Sequence, residues 1–304
     1  MNPIDVKALS KSYGDVVGID SLTFSVKPGE VFGFLGPNGA GKTTAIRTLL
    51  GLQSPTSGKA HVLGASITDE SELLEAKTRI GYLPSDLAFN ESVSGKRVLD
   101  YHASIKGDSR RAELLEIFTP PIDRPIREYS TGNEQMLGIV QAFMHDPDLV
   151  IMDEPTSGLD PLKQERFNQF ITNERDRGTT IFFSSHVLSE VRRVCDRVGI
   201  LRDGALVGLE TIESLLNQGG KRVQIQTPDT IESQIEALDG VFSVISFGET
   251  VQFTYTGTYN NLIRELQQYD IVDINISEPP LEDIFMHYYG SETEPDTETE
   301  AAHV

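Results

Sequence analysis

The sequence predicts an α/β layered protein followed by a smaller α+β region. Three observations carry this reading. Short apolar runs alternate with helix-period segments as far as about residue 210. A Gly-rich turn joins one of those runs, VFGFLG at 31–36, to the helical AIRTLLGL. Beyond residue 210 the signals follow the order β-α-β-β-α-β.

Residues 4–9 and 19–26 read as short strands, and KPGE at 27–30 as the turn before the buried strand 31–36. SPTSGKAHVLG at 54–64 is a turn and a strand, and RIGYLP at 79–84 is again strand-like. From about 86 to 145 the pattern is mainly helical, through SGKRVLDYHASI, RRAELLEIF and NEQMLGIVQAF, which predicts a helical subdomain. DLVIMDEP is an apolar strand, KQERFNQFITNERDRG an amphipathic helix, TTIFFSSH a strand and VLSEVRRVCDRV a helix. Strands 199–203 and 205–208 flank a DG hairpin signal.

In the second region KRVQIQT, VFSVISF, TVQFTYT and IVDINIS read as strands, and DTIESQIEAL and TYNNLIRELQQY as helices. That order is ferredoxin-like and implies an antiparallel sheet with two helices on one face. PPLEDIFMHYYG adds a helix with Pro279 and Pro280 at its start. The polar SETEPDTETEAAHV is expected to be disordered. The expected boundaries are therefore 1–210, 211–290 and an acidic tail 291–304.

Composition narrows the function. No apolar run approaches the roughly 18–20 residues of a membrane span. MNPIDVKALSK lacks the apolar stretch of a secretory signal. Cys195 is the sole cysteine, which excludes an internal disulfide and a cysteine metal cluster. A cytoplasmic, soluble chain is the expectation, able to rest on a membrane protein. The net charge of −20 repels DNA and RNA phosphates, so no nucleic-acid partner is expected.

Of the 26 basic residues, 10 are Lys and 16 Arg, which resembles the acidic, lysine-poor surfaces of proteins from halophilic, high-salt cytoplasms. The alternative is an ordinary acidic bacterial protein. The halophilic reading predicts a thermal midpoint that rises steeply between about 0.1 M and about 1 M KCl, as the screening length falls from about 10 Å to about 3 Å. Equal midpoints would favour the alternative.

GPNGAGKT at 36–43 matches G-x-x-x-x-G-K-[ST] in full. Gly36, Gly39 and Gly41 let the backbone curl so that N–H groups converge on a phosphate, with Pro37, Asn38, Ala40 and Thr44 completing the loop. Lys42 supplies a cation for the β- and γ-phosphates, and Thr43 a hydroxyl for Mg²⁺. LVIMDE at 149–154 delivers Asp153 to a strand end as a second Mg²⁺ ligand. Glu154 follows it, placed to polarise a water for in-line attack on the γ-phosphate. Ser130 and Gly132, in YSTGNEQ at 129–135, open a helix, and a helix start is an anion seat.

GPNGAGKTT (36–44), YSTGNEQ (129–135), LVIMDEP (149–155), SGLD (157–160) and SSH (184–186) together resemble the ATP-binding subunits of ABC transporters. The resemblance covers about residues 3–210. The region ending in EPPLEDIF (278–285) is similar to the small extra domain of drug, antibiotic and sodium exporter ATPases of that family. The resemblance implies a P-loop NTPase fold of ABC ATPase type, with ATP and Mg²⁺ as cofactors. It also implies a separate transmembrane permease and a second ATPase subunit, either a second copy in a homodimer or a different ATPase chain, with the assembly peripheral on the inner face of the cell membrane. It implies that Ser130 and Gly132 face the γ-phosphate held by the partner's loop, that His186 is the switch histidine, and that Asp160 ties the two subunits together beside the site. It further implies that Tyr13 stacks on adenine.

Two departures stand out. The family's usual Leu-Ser-Gly-Gly-Gln is here Tyr129-Ser130-Thr131-Gly132-Asn133. Ser85 stands where the family places a glutamine, too short to bridge the same distance, which leaves a water or an inward-reaching Asp86 to replace it. A soluble ABC ATPase acting on ribosomes or DNA is the competing reading, but such relatives carry two ATPase units or long coiled coils, and this chain shows neither. A regulatory nucleotide switch without turnover is a third reading, opposed by Glu154 and His186.

Overall fold

The computed structural model describes residues 1–218 and 220–277. The chain divides into two compact units, Met1–Thr211 and a second beginning at Ile212.

In the first unit β1 (Ile4–Tyr13) and β2 (Val16–Val26) form one long antiparallel hairpin. Pairing continues out to Tyr13–Val16 through several register shifts, so the strands run well past the segments 4–9 and 19–26. β3 (Val31–Leu35) leads through the Gly-rich turn into α1 (Lys42–Leu49). β4 (Ser57–Val62) and β5 (Ala65–Ser66) complete a four-stranded sheet of order β2-β1-β4-β5.

α2 (Glu70–Lys77) leaves no mark in the apolar pattern, because only Leu73 and Ala76 are buried. Its start is instead fixed by Asp69, whose carboxylate accepts from the Ser71 and Glu72 amides at 3.0 Å. β6 (Ile80–Leu83) follows. The helices α3 (Gly95–Lys106), α4 (Arg111–Phe118) and α5 (Thr131–Phe143) form the helical arm. Helix begins at residue 95 rather than 86, because Asn90 turns the chain by accepting from the Ser92 amide, and Ser94 then caps α3.

The remaining elements are β7 (Leu149–Asp153), α6 (Pro161–Asp176), β8 (Thr180–Ser185), α7 (Leu188–Val194), β9 (Arg197–Arg202) and β10 (Ala205–Thr211). The second sheet has the order β10-β9-β3-β8-β7-β6, parallel except for β10 at its edge. Every residue of β3, β7 and β8 is buried, which is why these strands read as unbroken apolar runs rather than alternating ones. Phe24 of the antiparallel sheet stacks on Phe32 and Phe182 of the parallel one, with centroids 5.5 and 6.1 Å apart. The two sheets thus share one core.

The second unit opens with α8 (Ile212–Gln218), which is absent from the expected element order. It continues β11 (Lys221–Gln226), α9 (Glu232–Glu236), β12 (Val241–Phe247), β13 (Thr250–Tyr255), α10 (Tyr259–Leu266) and β14 (Asp273–Ser277). All pairings are antiparallel, in the order β12-β13-β11-β14. Val223, Ile225, Val251, Phe253 and Tyr255 form one sheet face, packed with Ile235 of α9 and Leu262 and Leu266 of α10. The helix expected at Pro279 and Pro280 and the tail from 291 lie outside the described residues.

Candidate active site

Strand order positions the site. β3, β8 and β7 are neighbours, in register with Leu35 beside Ser185 and Asp153 beside Ser184. Their carboxyl ends therefore deliver residues 36–44, His186 and Asp153–Glu154 to one edge of the sheet, where open α/β sheets bind ligands.

The phosphate loop is shaped by close approach. Gly41 has φ 100, and a Cβ there would lie 2.3 Å from the Gly18 carbonyl. At Gly36 a Cβ would lie 2.6 Å from the Leu201 carbonyl. Unlike α2, α3, α5 and α6, helix α1 has no side-chain cap, and its first turn holds no acidic residue. Its first N–H groups lack intrahelical partners, so the site presents bare donors to an anion. The Lys42 ammonium, 5% exposed, folds back onto the Gly36 and Pro37 carbonyls at 2.8 and 3.1 Å.

Asp153 is 1% exposed, and each of its carboxylate oxygens holds a hydroxyl. Thr43 donates to one at 2.7 Å and Ser184 donates to the other. A carboxylate and a hydroxyl converging at a phosphate loop are hard oxygen donors and fit Mg²⁺.

Glu154 sits between two partners. Its Oε1 is 3.5 Å from Lys42 Nζ and its Oε2 is 3.2 Å from His186 Nδ1. The residue has φ 53, the left-handed region that costs a non-glycine residue on the order of 1–3 kcal/mol. Its amide donates to both the Ser184 carbonyl and the Ser184 hydroxyl, at 3.2 and 3.1 Å, which holds the strained turn. The carboxylate consequently leaves the sheet toward the loop rather than continuing the pleat.

Several positioning groups were not visible in the sequence. Glu190 accepts from Thr156 Oγ1 at 2.6 Å and Ser185 Oγ at 2.9 Å, and Ser185 Oγ accepts from the Val187 amide. This clasp fixes both neighbours of His186 to the segment after Glu154. Gln53 accepts from the Tyr13 hydroxyl at 2.6 Å and donates to the Thr44 carbonyl at 2.8 Å. Tyr13 is half exposed and is thereby tied to the start of α1. The Thr156–Glu190 and Tyr13–Gln53 contacts join residues more than thirty positions apart, and no local signal marks them.

Ser130, Gly132 and Asp160 form a second cluster. Among the described residues none of them hydrogen-bonds to residues 36–44. Ser130 caps α5, its hydroxyl accepting from the Asn133 amide at 3.3 Å. Asp160 caps α6, accepting from the Lys163 amide at 3.0 Å. A Cβ on Gly158 would lie 2.7 Å from the Thr131 methyl, so the start of α5 packs directly on the 157–160 loop. Ser85 and Asp86 are both exposed, and Asp86 accepts from the Ala88 amide within its own loop, so it does not reach inward.

Residues 19–157 match the ABC transporter family, and residues 211–289 match the C-terminal domain of DrrA1-3-like ATP-binding proteins. The chain is 34% identical over 300 residues to the bacitracin transport ATP-binding protein BcrA of Bacillus licheniformis, covering 94% of this chain and 96% of that protein. It is 34% identical over 310 residues to the Nod factor export ATP-binding protein I of Rhizobium etli, covering 97% and 95%. A solved ATP-binding subunit of an ABC transporter superposes with TM-score 0.64 at 30% identity, covering 71% of this chain and 92% of that one. The dimeric cassette MJ0796 with ADP and phosphate shares the fold at 21% identity, TM-score 0.64, covering 69% and 98%. The chain is an ATPase subunit of the ABC transporter family.

Proposed function

We propose that this subunit hydrolyses ATP at a site shared between two copies, and that the cycle drives export through a separate transmembrane permease. The observation that carries the chemistry is Glu154 standing between Lys42 and His186, beside the Thr43–Asp153 oxygen pair. Lys42 and the bare amides of α1 bind the β- and γ-phosphates. Thr43 and Asp153 would hold Mg²⁺, which supplies charge neutralisation on the phosphate oxygens. Glu154 takes a proton from a water attacking the γ-phosphorus in line, while the bond to the β,γ-bridging oxygen breaks, giving ADP and phosphate. His186 orients Glu154 and the water, and Tyr13 stacks on adenine.

The two-copy reading is supported by the second cluster, which among the described residues makes no hydrogen bond to residues 36–44. A two-fold head-to-tail pair gives Ser130 and Gly132 a partner's phosphate loop to face. The export reading is supported by the names of the bacitracin and Nod factor relatives. Among the described residues no helix is long and apolar enough to cross a membrane, which fits a subunit held at the cytoplasmic membrane face by its permease. Light scattering of the Glu154→Gln variant should show a monomer without nucleotide and a dimer with Mg-ATP. A monomer under both conditions, or a dimer whose Ser130 faces solvent, would overturn the shared site.

A further inference from the structure

Lys163 occupies an electrostatically awkward place. It stands in the first turn of α6, yet its ammonium lies over the start of a different helix. A Cβ built on Gly132 would be 3.3 Å from Lys163 Nζ and 2.9 Å from the Gly158 carbonyl. A helix start carries about half a positive charge, so a cation beside the first turn of α5 is repelled unless an anion joins it. The anion present is Asp160, with its Oδ2 3.4 Å from Nζ. Asp160 already accepts the Lys163 amide in its capping role, and its carboxyl is held below the usual range by that amide foremost. The ion pair is partly exposed, and exposed pairs of this kind add little stability. Holding the α6 cap therefore does not require a lysine here.

We propose that Lys163 is a trans phosphate ligand: on dimer closure its ammonium leaves Asp160 and takes a γ-phosphate oxygen of the ATP held in the facing subunit's 36–44 loop. The inference rests on the head-to-tail reading above. It gives Asp160 a paired role, since engagement of its carboxylate across the interface frees the lysine. It also accounts for the altered signature. Thr131 and Asn133 replace the family's glycine and glutamine, and a side-chain cation beside Gly132 restores attraction for phosphate that the shortened amide loses. No bond is made or broken by this residue; it adds charge at the position where ATP joins the two copies.

The test uses the full chain carrying Glu154→Gln, with Mg-ATP-driven dimerisation read by light scattering across protein concentration. Adding Lys163→Met should weaken the dimer by about tenfold or more, and Lys163→Arg should recover most of the loss. Lys59→Met makes the same charge change on the antiparallel sheet and should leave dimerisation unchanged. A Lys163→Met protein that dimerises like its parent, or an equal loss in Lys59→Met, overturns the inference while leaving the shared site standing. If the parent itself stays monomeric, both readings fall together. An unchanged thermal midpoint in Lys163→Met confirms that a lost dimer is not a lost fold. Should the methionine variant unfold, Lys163→Gln removes the same charge with a polar side chain, and the same loss is expected of it.

Discussion

Replacing Glu154 by glutamine is expected to slow ATP hydrolysis by about 10²–10⁴-fold while ATP affinity stays within about threefold of the wild type. The amide keeps the shape of the side chain, and the strained backbone that aims it is untouched, because Ser184 holds the 154 amide through its own carbonyl and hydroxyl. What is lost is the acceptor for the water's proton. The ion pair to Lys42 at 3.5 Å is lost as well, which leaves that ammonium more available to phosphate and argues against any fall in affinity. Single-turnover hydrolysis and nucleotide binding measured separately give the two numbers. Near-normal hydrolysis would mean that another group, with His186 first in line, receives the proton. A large fall in affinity would mean that Glu154 shapes the loop rather than serving the water.

Much of this arrangement was legible because parallel strands buried on both faces leave uninterrupted apolar runs. VFGFL, LVIMD and TIFFSS could be read as strands, and the residues following each could be placed at a sheet edge. The order in which those strands lie was not legible. Nothing local says that β8 comes between β3 and β7, yet that order is what lets His186 reach Glu154.

Helix α2 buries two side chains and is defined by its Asp69 cap, so a search for apolar periodicity passes over it. In the site, residue types were informative where chemistry demands a particular group, as at Lys42 and Asp153. They were silent where a common residue does positioning work. Gln53, Glu190 and Ser184 act through contacts between distant segments, and the positive φ of Glu154 is set by tertiary context.

The second large effect is expected at Arg110, remote from the chemistry. Its guanidinium forms a fork with Glu174, two bonds of 2.6 Å, and both side chains are almost fully buried. The Glu174 bond foremost raises the Arg110 pKa, so the pair stays charged. Arg110→Met should destabilise the Met1–Thr211 unit by roughly 3–5 kcal/mol, because it strands a buried carboxylate. The Thr179 hydroxyl at 3.3 Å and Arg177 at 3.9 Å are poor replacements. Arg110→Met combined with Glu174→Leu should return to within about 1.5 kcal/mol of the wild type, since two apolar groups of similar volume need no partner. Hydrogen exchange at the β3, β7 and β8 amides reads this unit alone. Equal losses in the single and double variants would show that packing, not the stranded charge, sets the cost.

The double variant carries further information. The Arg110 amide also donates to the Met144 carbonyl just beyond α5, and Glu174 belongs to α6, which Asp160 caps. The pair thus joins the arm that presents Ser130 to the helix that presents Asp160 and Lys163. A buried ion pair that adds little net stability can still fix one arrangement of the groups it connects. A double variant that is stable but forms the ATP-driven dimer poorly would assign that aligning role to Arg110 and Glu174. Normal dimerisation would reduce the pair to an internal tether.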